Sequence, residues 1–197
     1  LGVDVADTGK DSTIVTVSQN NIAIRQVRLT IDRNSPTTIS DQQAEQIIAL
    51  ATQYGLSSFQ ANQIAVEING VGVGVRDAMK RVGWYITEYQ ANGTSRSQGF
   101  YDLMTDMRDG KFKVAIDAMP FREELLRQLG LYEVEMDTKL QPKVTPKEKI
   151  KDVIGHSPDE SDSLMICNWV RRGSNIQSKA NQYKADYDYS RLGDLAK

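Results

Sequence analysis

Four carboxylates in this 197-residue chain stand where a carboxylate is costly. Asp4 and Glu67 each lie inside a short apolar run, and Asp159 and Asp162 open a third apolar segment. Burial of a carboxylate is unfavourable unless a cation or a set of hydrogen bonds compensates its charge. Several acids that converge on one point also repel each other, and divalent metal ions remove that repulsion. The pattern therefore predicts a metal-dependent phosphodiester hydrolase.

Two-metal hydrolysis assigns a role to each of these acids. It uses two ions about 3.5–4 Å apart, one at the attacking water and one at the leaving oxygen. Mg²⁺ and Mn²⁺ both prefer carboxylate oxygens. We assign Asp4 as the bridging ligand, Glu67 as a ligand of one ion and Asp162 as a ligand of the other. Asp159 lies three residues before Asp162 on the same helical face. We assign it as an auxiliary ligand or to the second shell.

Structural explanations of the same acids stay open. A buried ion pair would also account for Asp4 and Glu67. Acids in the first turn of a helix are favoured by the helix dipole, which would by itself explain Asp159 and Asp162.

Three further side chains are candidates for the second shell of the site. Asp7 and Asp11 follow the first predicted strand, in a segment whose composition also suits a simple turn. His156 is the only histidine and precedes a predicted helix start. It could relay a proton or contact a phosphate, and a half-exposed loop histidine is the structural alternative.

Lysines are concentrated in one segment although the net charge of the chain is −2. Five fall within thirteen residues: Lys139, Lys143, Lys147, Lys149 and Lys151. Such a cluster predicts contact with the phosphates of DNA. A solvated, lysine-rich surface would have the same composition.

The elements that would position these residues follow from periodicity and turn composition. Strands over 1–6, 12–18 and 22–30 predict an antiparallel meander, after which helices and strands alternate. The later strands are predicted over 63–68, 84–89, 112–116 and 132–136. Helices are predicted over 41–54, 75–82, 99–108, 120–129 and 158–171, with one more starting near Thr145. The order predicts an α/β fold, a mixed sheet flanked by helices, over residues 1–173. Residues 174–197 are predicted to be a polar, loosely ordered tail.

Composition excludes several classes of protein. The single cysteine, Cys167, excludes an internal disulfide and suits a reducing compartment. No apolar run approaches the roughly 18 residues that cross a bilayer, so no membrane partner is expected. The glycines at 70, 72 and 74 lack the G-x-G-x-x-G spacing of dinucleotide sites. Because Leu1 is not preceded by Met, we expect an excised fragment.

Three segments resemble motifs of the nuclease domain of tailed-phage terminase large subunits. They are Gly2–Thr13, Val66–Asp77 and Gly155–Leu164, in the order in which that family has them. The resemblance implies an RNase H-like fold, with three antiparallel strands followed by parallel strands. It also implies a metal-dependent endonuclease that cuts concatemeric double-stranded DNA during genome packaging.

The same resemblance carries the three acidic positions of that family onto Asp4, Glu67 and Asp162. Many members have Asp where this chain has Glu67, and alanines are usual where it has Ser161 and Ser163. Neither difference removes a ligand.

The resemblance further implies cofactors, partners and a location. Two Mg²⁺ or Mn²⁺ ions would be bound, and double-stranded DNA, the portal protein and the small terminase subunit would be partners. The location would be the host cell cytoplasm, transiently at the procapsid portal. The family's motor is a separate ATPase domain, and this chain has no G-x-x-x-x-G-K-[ST] phosphate loop. We therefore expect it to cut DNA without hydrolysing ATP.

Other functions stay open on the sequence. Holliday-junction resolvases share the order of the acids. ATP-binding domains of the actin and sugar-kinase type begin with a similar strand, although Ala6 and Asp7 replace the second glycine of their phosphate loop. A catalytically silent module that docks on the portal is a third possibility.

Overall fold

A computed structural model describes residues 1–6 and 11–186 of the chain, with only the helical backbone described over 174–186. Asp7 lies outside the described residues. The strands are β1 (Gly2–Asp4), β2 (Ile14–Gln19), β3 (Ile22–Arg28), β4 (Ala65–Glu67), β5 (Thr87–Tyr89), β6 (Lys113–Val114), β7 (Val134–Met136) and β8 (Pro142–Val144). The α-helices are α1 (Ile39–Gln53), α2 (Gly72–Arg81), α3 (Gly93–Arg108), α4 (Arg122–Leu129), α5 (Lys147–Ile154) and α6 (Asp159–Asp186). Short 3₁₀ helices span Ser58–Gln63 and Ile116–Ala118.

Six strands form one mixed sheet in the order β5-β4-β1-β2-β3-β6. Strands β1, β2 and β3 are antiparallel neighbours, which confirms the predicted meander. Strand β4 is parallel to β1, β5 is parallel to β4, and β6 is parallel to β3. This is the RNase H-like arrangement that the resemblance implied.

Helices cover both faces of the sheet. On one face Val3 of β1 packs with Ile47 of α1 and Met79 of α2 in a hydrophobic cluster. On the other face Ala65 of β4 belongs to a second cluster with Phe100 of α3 and Leu164 of α6. Because strand residues alternate between faces, Gly2 and Asp4 lie opposite to Val3, on the side of α6. Within the described residues, no helix has the length and apolar character that crossing a bilayer would require.

Helix α6 lies directly on β1 because Gly2 has no side chain. A Cβ at this position would be 2.1 Å from Cys167 N and 2.5 Å from Ser163 O, inside van der Waals contact. The glycine therefore determines how closely α6 approaches β1.

Two helices are longer than their sequence patterns predicted. Helix α3 begins at Gly93 rather than 99, because the side chain of Asn92 accepts hydrogen bonds from Thr94 N and Ser95 N as an N-cap. Residues 92–98 form this cap and the first turns of the helix. Helix α6 continues past the predicted end at residue 171 to Asp186, through residues that include good helix formers such as Gln, Lys and Ala. The division into a domain of 1–173 and a tail of 174–197 stays a prediction, and residues 187–197 lie outside the described part.

The strand predicted over 132–136 does not join the main sheet. Instead β7 pairs with β8 in a separate antiparallel hairpin, and β8 was not predicted. The side chain of Asp137 closes the turn between them by accepting hydrogen bonds from Lys139 N and Gln141 N. The hairpin packs through β8 on α3.

Candidate active site

Two of the predicted acids stand side by side at the ends of neighbouring strands. Asp4 is the last residue of β1 and Glu67 the last residue of β4. The preceding residues, Val3 and Val66, are partners in the parallel register. Neighbouring strands are about 4.8 Å apart in the hydrogen-bonding direction. Asp4 and Glu67 are therefore adjacent, and their side chains lie on the same face of the sheet.

The first turn of α6 brings the other two acids to this edge. Asp159 and Asp162 are both buried there. Burial raises the pKa of Asp4 most, and the nearby charges of Asp162, Glu67 and Asp159 raise it further. The structure therefore brings together the four carboxylates that the sequence predicted.

Asp159 is held by its neighbours in the chain and by the segment before β2. Its Oδ2 accepts a hydrogen bond of 2.8 Å from Ser12 N. Burial outweighs this bond and the one from the Ser157 hydroxyl, and raises the pKa of Asp159 to about 6. Asp159 therefore takes up a proton at a higher pH than an ordinary aspartate.

A lysine occupies the centre of the acidic group. Lys147, the first residue of α5, places its Nζ 2.8 Å from Asp162 Oδ2. Its burial opposes the charged form, but Asp162, Asp4 and Glu67 outweigh burial and raise the pKa of Lys147. In return, the charge of Lys147 offsets part of the rise in the pKa of Asp4. The sequence grouped Lys147 with DNA-contacting lysines, whereas the structure places it among the candidate metal ligands.

The other oxygen of Asp162 is held by an arginine that the sequence did not reveal. Arg96 Nη2 donates to Asp162 Oδ1 at 3.0 Å and to the Tyr132 hydroxyl at 2.7 Å. Arg96 is only 9% exposed. It lies in the first turn of α3, where the helix dipole disfavours a cation. The sequence pattern predicted this helix only from residue 99, so Arg96 was not recognised as a cation in a helical first turn.

The donor set fits a divalent cation. Four carboxylates face two side-chain cations, Lys147 and Arg96, so negative charge is left over. Asp4 Oδ2 is buried and has no hydrogen-bond partner among the residues that the structure describes. Oxygen donors of this kind suit Mg²⁺ or Mn²⁺. The acids lie near one another, but among the described residues no three Asp, Glu, His or Cys side chains are already placed to hold one ion.

Two of the second-shell candidates, Asp11 and His156, have partners beside the first turn of α6, and their role stays a prediction. Asp11 accepts a hydrogen bond from Ser157 N and pairs with Lys151 at 3.3 Å. Burial opposes these contacts, but together they lower the pKa of Asp11. His156 contacts Ser157 O through Nδ1 and Glu124 through Nε2.

The remaining lysines of the predicted DNA-binding segment are exposed. Lys139 lies in the turn of the β7–β8 hairpin, Lys143 in β8, and Lys149 and Lys151 on α5. Their contact with DNA stays a prediction.

An open cleft of about 400 Å³ borders two of the acids, Glu67 and Asp162. Lys147, Asn92 and Thr145 belong to its wall as well. The cleft lies where β4, β5 and β8 end.

Solved structures share this architecture. The nuclease domain of the large terminase subunit gp2 of bacterial virus Sf6 matches with a TM-score of 0.59 and 18% identity, over 83% of this chain and 84% of that one. The chain has the fold of a phage terminase nuclease domain. The large terminase nuclease of thermophilic phage G20c matches with a TM-score of 0.55 and 16% identity, over 84% of this chain and 78% of that one.

Metal ions are present in several of those relatives. The Sf6 domain has been solved with manganese and with calcium, and the G20c nuclease with cobalt and with magnesium. The sequence of the present chain matches no protein-family model and no curated protein.

Proposed function

We propose that this chain is the nuclease domain of a viral DNA-packaging terminase, a metal-dependent endonuclease that cuts concatemeric double-stranded DNA. The observation that carries the proposal is the convergence of Asp4, Glu67 and Asp162 at one edge of a terminase-nuclease fold. Each acid comes from a different element, and burial makes their grouping costly without a cation.

The acids would hold two Mg²⁺ or Mn²⁺ ions. Asp4 would be the ligand shared by both ions, since its strand lies beside that of Glu67 and packs on α6. Glu67 and Asp162 would each bind one ion, with Asp159 beside Asp162. When bound, such ions activate the attacking water and stabilise the leaving oxygen.

The chain's own residues prepare this site. Burial keeps Asp4 Oδ2 free of competing donors, so the atom is available to a cation. Lys147 neutralises Asp162 through Oδ2, the oxygen that Arg96 leaves free. Lys147 therefore competes with any cation that binds there.

The substrate would bind through its phosphates rather than its bases. Four exposed lysines on the hairpin and α5 are the candidates for these contacts: Lys139, Lys143, Lys149 and Lys151. Lysine contacts with phosphates carry little sequence information. Binding should therefore depend strongly on salt. The same proposal places the protein in the host cytoplasm, with the portal and the small terminase subunit as partners.

Substitution of the acids tests the proposal. We expect Asp4→Asn and Asp162→Asn to abolish Mn²⁺-dependent nicking of supercoiled plasmid while both variants still unfold cooperatively on heating. Asp152→Asn, an exposed acid on α5, is the matched control and should cut like the wild type. Undiminished cutting by both site variants would refute the assignment. Strong preference for a four-way junction over linear duplex would instead support a Holliday-junction resolvase.

A further inference from the structure

The Asp162 carboxylate is held from two sides by different cations. Arg96 contacts only Oδ1, and Lys147 contacts only Oδ2. We propose that Arg96 is a positioning residue that orients Asp162 so that Oδ2 faces the metal ions. This inference rests on the proposed nuclease function and adds a residue to its machinery.

The guanidinium of Arg96 is itself fixed by aromatic rings. Its Cζ lies 4.9 Å from the centre of the Phe100 ring and 5.3 Å from that of Tyr132. The two rings stack on each other at 3.9 Å. Nη1 also reaches Thr145 O at 3.4 Å. A cation packed in this way has few alternative positions, so it can serve as a fixed reference for its partner.

Tyr132 links the arginine to the backbone of α6. Its hydroxyl accepts from Arg96 Nη2 at 2.7 Å, and lies 3.1 Å from Ser161 Oγ and 3.5 Å from Asp162 Oδ1. Ser161 Oγ in turn donates to Pro158 O, one turn back. Asp162 is therefore tied to both Arg96 and Tyr132, and Ser161 to Tyr132.

Charge balance alone would give Arg96 a different role. If the guanidinium only neutralised the acids, its removal would leave more negative charge and strengthen the binding of a divalent cation. If it orients Asp162, its removal should weaken that binding, because the carboxylate would rotate away from the position the ion needs. The two roles predict changes of opposite sign in metal affinity.

Calorimetric titration of Mn²⁺ into the metal-free protein distinguishes them. For Arg96→Gln we expect Mn²⁺ to bind about 10–100-fold more weakly, the usual effect of losing a residue that orients a metal ligand. The kcat for plasmid nicking should fall by a similar factor, and the KM for DNA should stay unchanged. Affinity that is unchanged or increased would overturn the positioning role.

Two further variants keep the test decisive if Arg96→Gln does not fold. Arg96→Lys keeps the charge but loses the planar guanidinium that packs on Phe100 and Tyr132 and the second nitrogen that reaches Thr145 O. We therefore expect it to remain defective in Mn²⁺ binding. Full rescue by lysine would contradict the proposal. Tyr132→Phe keeps the ring stack and removes the hydroxyl, and should weaken Mn²⁺ binding in the same direction by a smaller factor. Wild-type affinity in Tyr132→Phe would show that the link to α6 has no such role.

Controls separate this inference from the proposed function. Arg108→Gln removes the same charge from the exposed end of α3, about 18 Å along the helix, and should bind Mn²⁺ like the wild type. If Asp162→Asn still cuts DNA and binds Mn²⁺, the nuclease assignment fails. If Asp162→Asn loses both while the Arg96 and Tyr132 variants behave like the wild type, only the positioning role fails.

Discussion

Replacing Lys147 with methionine removes the cation at the centre of the acidic group while keeping most of the side-chain volume. At the observed 2.8 Å between Nζ and Asp162 Oδ2, two unit charges attract by about 6 kcal/mol at an effective dielectric constant of about 20. The cost of burying both groups opposes this attraction. Loss of one member of a buried pair typically costs about 3–5 kcal/mol.

We expect the lower end of that range, about 3 kcal/mol, for the metal-free protein. The side chain of Lys147 is 32% exposed, and Asp162 retains its contact with Arg96. The ammonium also competes with metal ions for Asp162 Oδ2, so Lys147→Met should bind Mn²⁺ more tightly than the wild type. Saturating Mn²⁺ should therefore stabilise the variant more than the wild type.

Denaturant unfolding in EDTA and in Mn²⁺ measures both effects, and calorimetric titration gives the Mn²⁺ affinity directly. Lys149→Met is the matched control, because Lys149 lies exposed on the same helix. It should change the free energy of unfolding by no more than about 0.5 kcal/mol. If Lys147→Met matches the wild type in both metal-free stability and Mn²⁺ affinity, the ammonium does not lie among the acids in solution.

Three other perturbations probe the site and its support. Burial raises the pKa of Asp159 to about 6, so its protonated form favours the metal-free fold at low pH. In EDTA the wild type should lose stability relative to Asp159→Asn as pH rises from about 4 to about 6. Over the same range the Mn²⁺ affinity of the wild type should increase. Parallel pH profiles of unfolding free energy for the two proteins would contradict this. Gly2→Ala places a Cβ 2.1 Å from Cys167 N, and should cost about 1–3 kcal/mol in thermal unfolding and reduce nicking. Gly173→Ala, with open space around it, should be neutral or stabilising, and equal effects of the two alanines would refute the close contact. Reversing Lys139 and Lys143 to glutamate should weaken duplex binding for every sequence and flatten its salt dependence, whereas unchanged affinity would make them ordinary surface lysines.

The acids could be found from the sequence because each conflicts with its local surroundings. Asp4 and Glu67 interrupt short apolar strands, and the two acids of α6 open a buried helix, so their burial was visible before any tertiary contact was known. The meeting of Asp4 and Glu67 required only that their strands be neighbours, and β1 and β4 are paired in parallel.

The cations of the site could not be found in the same way, because only tertiary contacts distinguish them. Lys147 stands in a run of surface lysines, and nothing in its neighbours indicates that it alone turns inward. Arg96 meets Asp162 across 66 residues of sequence and Tyr132 across 36. The Asn92 cap that starts α3 was the missed local signal, since it would have shown Arg96 to be in a helix.

The packing of α6 on β1 also determines when the proposed metal site becomes complete during synthesis. Asp4 and Asp162 are separated by 158 residues, and only docking of α6 brings them together. A nascent chain that still lacks this helix, or a proteolytic fragment that has lost it, holds two of the four acids and neither member of the Asp159–Asp162 pair. Under the proposed function, a newly made chain would therefore be unable to cut DNA until nearly the whole domain has been synthesised and packed.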